Sequence, residues 1–171
     1  MNFYKQFRIR FFLLFAGLIF GTNGSAITID VSDSPTNDLQ LALSAIDSAQ
    51  HSLYVNAYEF TSNEIANHII DKIRSGIKVE ILAEGQPVGG IGKVGESIRA
   101  QVVQAMAQAT APDRFFVMSS EEPDGANQRR FHFDHAKYMI VDEANILVGS
   151  ENYSPTGNPA MGSLAPIPWS F

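Results

Sequence analysis

The chain has 171 residues, is 45% hydrophobic and 18% charged, and sets 12 Lys and Arg against 18 Asp and Glu for a formal charge of −6. This is ordinary globular usage, sufficient for one domain or two small ones, and neither disordered nor fibrous. With no cysteine present, a disulfide scaffold, a thiolate zinc site and a cysteine nucleophile are all excluded.

Residues 1–26 have the three regions of a secretory signal peptide in the right order. Lys5, Arg8 and Arg10 are basic, Phe11 to Phe20 carries no polar side chain, and Gly24-Ser25-Ala26 offers small residues for cleavage before Ile27. The apolar run is too short to span a bilayer comfortably. An uncleaved anchor or a buried core segment is the alternative. Export places the mature chain in the periplasm or outside the cell. Cleavage removes three positive charges and no negative one, taking the formal charge from −6 to −9. An acidic surface of this kind repels phosphate backbones and anionic lipid at long range, which argues against non-specific nucleic-acid binding.

From Ile27 onward short β-branched runs alternate with helical patterns. Thr36 to Gln50 has Leu39, Leu43 and Ile46 at helical spacing beside Ala42 and Ala49, the pattern of an amphipathic helix. Leu53 to Tyr58 reads as a strand, Thr61 or Ser62 as an N-cap, and Ile65, Ile69, Ile70 and Ile73 as the inner face of a second helix ending near Gly76. Ile77 to Ala83 is the next strand. This β-α-β order predicts a parallel pair with a right-handed crossover, hence an α/β layered domain.

Gly85 to Gly95 is a surface loop by composition. Its glycines lack the Lys-Ser/Thr pair of a P-loop and the spacing of a dinucleotide site. Val94 to Gln108 reads as a third helix, Arg114 to Met118 as a strand and Ser119 to Gln128 as a polar, acidic loop. Arg129, Arg130, Phe131, His132 and Phe133 form a basic-aromatic cluster. It reads either as a rim that binds phosphate or stacks a base, or as a strand leading to His135. In the favoured second reading the arginines lie in solvent and Phe131 and Phe133 in the core.

The informative stretch is His135 to Asp142 followed by Gly149-Ser150-Glu151-Asn152. Tyr138 to Val141 and Asn145 to Gly149 read as antiparallel strands joined by a two-residue turn, Glu143-Ala144. Paired positions then sum to 287, which sets Asp142 opposite Asn145, Lys137 opposite Ser150 and His135 opposite Asn152. Alternation gathers His135, Lys137, Ser150 and Asn152 on one side of the ribbon and sends Asp142 to the other, where its carboxylate can bond the turn or a backbone amine. An imidazole, an ammonium, a hydroxyl and an amide together suit phosphoryl or acyl transfer without a metal.

The six fixed positions of His-x-Lys-x(4)-Asp-x(6)-Gly-Ser-x-Asn are all present, at His135, Lys137, Asp142, Gly149, Ser150 and Asn152. In this the chain resembles the phospholipase D superfamily, and the likeness extends upstream through Tyr54 to Thr61 and the strand from Ile77. The resemblance implies a phospholipase D-like fold, a layered mixed sheet flanked by helices with the motif on a β-hairpin. The resemblance covers 27–152 as a phospholipase D-like domain, between the signal peptide read at 1–26 and a Pro/Gly-rich tail at 153–171.

The resemblance further implies a two-step displacement at a phosphodiester, with His135 as the nucleophile or its acid/base partner. Lys137 would hold the non-bridging oxygens, Asn152 and Ser150 would support substrate binding, and Asp142 would be mainly structural. No metal or cofactor is implied. The superfamily's site uses two motifs, whereas His51, His68 and His132 have no lysine two residues on. Either a homodimer completes the site, or the chain is a truncated half. No acidic residue follows Glu151 to orient the histidine, and Glu59 is a possible but disfavoured substitute. The acidic charge favours a phospholipid or another small diester over nucleic acid as substrate.

Overall fold

A computed structural model describes residues 29–31, 37–118 and 133–160. The signal-peptide segment, the acidic loop at 119–128, residues 129–132 of the basic-aromatic cluster and the tail from 161 lie outside the described residues. The chain divides into two units, Met1–Val31 and Ser32–Phe171. Of the first only residues 29–31 are described, without regular secondary structure and with Ile29 and Val31 exposed. The elements all belong to the second.

Helix α1 spans Asp38–Ser48, strand β1 Ser52–Ala57, helix α2 Asn63–Arg74, strand β2 Lys78–Glu84, helix α3 Gly92–Gln108 and strand β3 Arg114–Met118. Strands β4, Lys137–Val141, and β5, Asn145–Val148, follow. The sheet is mixed, in the order β3-β2-β1-β4-β5. β1, β2 and β3 run parallel, and β4 is antiparallel to both β1 and β5. This is the α/β layered architecture expected, a five-stranded sheet flanked by helices.

The anticipated helical faces form the core. Leu39, Ala42, Leu43 and Ile46 of α1 and Ile65, Ile69, Ile70 and Ile73 of α2 are buried. They cluster with Leu53, Val55, Val79, Ile81, Met139 and Val141 from alternate strand positions, as period-two geometry requires. Ser62 is the N-cap of α2, its hydroxyl accepting from the Ile65 amide at 3.3 Å. The reverse face of the sheet carries Phe116, Ile146 and Val148, all exposed.

Four expectations need correction. Helix α3 begins at Gly92 and not at Val94, and Gly95 is buried within it; a Cβ there would lie 2.5 Å from Ile91 Cγ2 and 3.4 Å from Thr61 Cγ2. Phe133 is 60% exposed and lies in irregular backbone, not in the core or in a strand. The packed body also runs past Asn152. Tyr153, Ser154, Gly157, Asn158 and Pro159 are buried, and Tyr153 forms a parallel bridge with Phe60.

The hairpin register differs as well. Val141 pairs with Asn145 and Tyr138 with Val148, so paired positions sum to 286 and the turn has three residues, Asp142-Glu143-Ala144. Asp142 and Glu143 adopt left-handed backbone, with φ of 52° and 56°, a conformation that short polar side chains such as aspartate tolerate best. The cause lies outside the hairpin. The Asp142 carboxylate accepts the backbone amides of Gln50 at 2.9 Å, His51 at 2.7 Å and Ser52 at 2.8 Å, and its own amide donates to the Ser52 carbonyl at 2.9 Å. Asp142 is thereby drawn out of the β4–β5 ladder and onto the start of β1.

The Ser52 amide, followed by those of Gln50 and His51, holds the Asp142 carboxyl below its ordinary pKa. A depressed folded-state value means stabilisation that is complete above the unfolded carboxylate value of about 3.9 and lost as pH falls through the folded one. Asp142→Asn is therefore expected to lower the urea midpoint at neutral pH, with the gap to the parent closing on acidification. A gap that stays constant through that titration would show the carboxylate's charge to be irrelevant.

Candidate functional site

Antiparallel pairing of Ala57 with Lys137 sets the first residue of β4 beside the last of β1. The carboxyl ends of the parallel strands and the entry to β4 thus share one edge of the sheet, where ligands bind in open α/β sheets. Three connections meet there: Tyr58-Glu59-Phe60 after β1, the loop after Glu84, and Asp134-His135-Ala136 before β4.

Lys137 points to the helix-covered face and is only 4% exposed. Its ammonium donates to the His135 carbonyl at 2.8 Å and sits 4.9 Å from the centroid of the Tyr58 ring. Burial lowers its pKa, against the opposing pull of Asp134, Glu151 and Glu59. His135 is exposed. Its ring meets Tyr58 edge-on at 4.3 Å between centroids and Phe133 at 6.3 Å. Tyr58 therefore touches both motif side chains, and its hydroxyl accepts from the Val88 amide at 2.7 Å.

Asn152 arrives by a different route from the ribbon pairing expected of it. With the observed register Lys137 aligns with Gly149, whose amide donates to the Lys137 carbonyl at 3.0 Å, and the ladder stops at Val148. The chain is then stitched to the segment after β1. The Tyr153 amide donates to the Glu59 carbonyl at 3.1 Å, and the Tyr153 carbonyl accepts from Thr61 and Ser62 at 2.8 and 2.9 Å. This brings the Asn152 side-chain amide to Glu59 Oε2 at 2.9 Å. Glu59 also accepts from the Thr61 hydroxyl at 3.2 Å, so the side chain disfavoured by sequence lies inside the site.

The other two motif side chains lie apart. Ser150 is exposed, 3.5 Å from Glu151 Oε1, and lines a cleft with Asp38, Tyr153 and Asn158. Asp142 stands at the far end of β4 from Lys137. Sequence reasoning missed Tyr58, Asn56, Glu84 and Asp134. Glu84 and Asn56 are each 4% exposed, and the available signal was a polar residue within or at the end of an apolar strand, since buried polar groups need partners. Glu84 accepts the amides of Asp134 and Gln86 at 2.7 and 2.8 Å. Asp134 accepts the Asn56 side-chain amide at 2.7 Å and the Ala136 amide at 3.0 Å. Among the described residues no group of three or more His, Asp or Glu is placed to hold a metal ion.

A family model described as cardiolipin synthase, PLD-like domain, matches residues 42–161. No curated protein matches the sequence. Among solved structures, a phospholipase D family member, Nuc from Salmonella typhimurium, is similar at 24% identity and a TM-score of 0.52 over 70% of this chain. NucT from Helicobacter pylori is similar at 20% identity and a TM-score of 0.52 over 71% of this chain. The match spans 66% of the length of the first and 71% of the second. These structural likenesses concern the fold.

The approach of Asn152 to Glu59 depends on Gly157, because a Cβ at that position would overlap the Asn152 carbonyl oxygen. Gly157→Ala is expected to destabilise the domain by about 1–3 kcal/mol, as for other overpacking substitutions, and to shift the Asn152 side-chain amide resonances. An unchanged melting temperature with unshifted resonances would show that the segment relaxes freely.

Proposed function

We propose that this chain, which belongs to the PLD-like domain family whose model it matches over residues 42–161, is a metal-independent phosphodiesterase acting through His135. The observation that carries the reading is the pairing of an exposed imidazole with a buried ammonium, both against the Tyr58 ring. A cation already removed from water interacts strongly with phosphoryl oxygens and needs little reorganisation when charge develops on them.

In the proposed reaction a His135 ring nitrogen attacks phosphorus and the bond to the leaving alcohol breaks, giving a phosphohistidine. The departing oxygen takes a proton from the histidine of a second motif. That histidine then removes a proton from water, whose oxygen displaces His135 from phosphorus. Lys137 and Asn152 hold the non-bridging oxygens, and Asp142 anchors the fold. One motif is present in the chain, so a second copy would supply the other histidine through a two-fold contact.

Phospholipid is the favoured substrate over nucleic acid. The chain's charge of −6 opposes a polyanion more strongly than a diester of zero or one net charge, and the site is flanked by the exposed apolar side chains of Phe133 and Val88. The pattern of residues 1–26 supports a periplasmic or secreted location.

The test is hydrolysis of a chromogenic phosphodiester in excess chelator across protein concentration. Turnover is expected to survive chelation, to rise faster than linearly with protein and to vanish in His135→Ala. Lys137→Ala should lose about 10²–10³-fold in kcat, the scale for removing one charge-stabilising donor. Because burial lowers the Lys137 pKa, the alkaline limb of activity should fall below the ordinary lysine value. Full turnover in His135→Ala, or turnover independent of Lys137, would refute the assignment. Comparison of phospholipid vesicles with single-stranded and duplex DNA decides the substrate.

A further inference from the structure

We infer that Glu84, Asp134 and Asn56, none of them in the motif, are positioning residues that fix His135 for attack. The inference rests on the assignment of His135 as the reacting group. Residues 133–136 have no regular secondary structure, so no strand ladder holds the histidine's backbone. Side chains do so instead. Glu84 Oε2 accepts the Asp134 amide at 2.7 Å on one side of His135, and Asp134 Oδ1 accepts the Ala136 amide at 3.0 Å on the other. Asp134 Oδ2 is in turn held by the Asn56 side-chain amide at 2.7 Å. The His135 carbonyl between them receives the Lys137 ammonium.

The frame behind these contacts is rigid. Glu84 is the last residue of β2 and Asn56 the penultimate residue of β1, neighbouring strands of the parallel sheet. Glu84 Oε1 meanwhile accepts the Gln86 amide at 2.8 Å, and Tyr58, which touches the imidazole, accepts the Val88 amide. The backbone and the ring of His135 are therefore both tied to the loop between β2 and α3. Carboxylate acceptors suit this role because their bonds to backbone amides are short and strong. An in-line attack loses much of its rate when the nucleophile is displaced by as little as an ångström.

The test measures kcat and KM on a chromogenic phosphodiester for the full chain, Glu84→Gln, Asp134→Asn, Asn56→Asp and the exchanged pair Asn56→Asp with Asp134→Asn. Thermal melting and amide hydrogen exchange are read on the same preparations. Each single variant removes or reverses one bond. The exchanged pair restores it with donor and acceptor swapped, while position 134 keeps an oxygen for the Ala136 amide. The single variants are expected to lose about tenfold to hundredfold in kcat with KM nearly unchanged, and the pair to recover most of that loss. Exchange at the Asp134 amide should quicken in Glu84→Gln, and exchange at the Ala136 amide in an added Asp134→Ala variant, which removes its acceptor.

Folded Glu84→Gln and Asp134→Asn proteins with the parent's kcat would overturn the inference, as would losses confined to KM. If Asn56→Asp does not fold, the other two variants still decide by the kcat–KM split. Failure of the underlying assignment looks different. A parent chain without turnover, or an active His135→Ala variant, removes the role of His135 and the positioning role with it, even where both amides are protected. Unprotected amides in an active parent overturn the positioning network alone.

Discussion

The carboxylate of Asp142, receiving three successive amides at the entrance to β1, is the constraint on which the rest of the site depends. It locks the far end of β4 against the start of β1. The antiparallel register between the two strands is then set along its whole length, from Leu53 with Val141 to Ala57 with Lys137. A one-residue slip would turn Lys137 to the opposite face of the sheet, away from Tyr58. Asp142 thus acts at a distance, by fixing which way a lysine points a strand-length away.

A second constraint operates at the other end. Burying an ammonium is costly unless its donors are satisfied and compensating charge lies nearby. Lys137 meets both conditions, through the His135 carbonyl and the Tyr58 ring for contact and through Asp134, Glu151 and Glu59 for charge. These groups come from three separate stretches of chain, before β4, after β5 and after β1. The site is therefore a product of the assembled sheet edge and not of the hairpin alone.

This distribution explains what the sequence disclosed. Inner helical faces such as Ile65, Ile69, Ile70 and Ile73 were legible because periodicity is local, as was the parallel β1–β2 pair implied by β-α-β order. The six-position spacing marked the motif. The hairpin register was not legible, because Asp142 is claimed by amides some ninety positions earlier, and turn length read from neighbours alone gives two residues. The route of Asn152 was hidden for the same reason. Its partner Glu59 lies 93 positions away, and the stitching by Tyr153 falls in what composition marks as a tail. Phe133 was misplaced by treating hydrophobicity as burial. Glu84 and Asn56 carried a faint signal, polarity inside an apolar run, that gains meaning only once their partners are known.

The outer strand of the sheet has a colloidal consequence. β5 is a short edge strand with no charged side chain, exposing Ile146 and Val148 beside its unpaired backbone groups. Edges of this composition favour pairing with another strand, and the net negative charge of the chain opposes unspecific association through it. That repulsion fades in concentrated salt and as pH falls toward about 5.1, where the charges of the sequence balance. Solubility is therefore expected to depend on pH and ionic strength through β5, and a single lysine introduced at that edge would weaken the dependence.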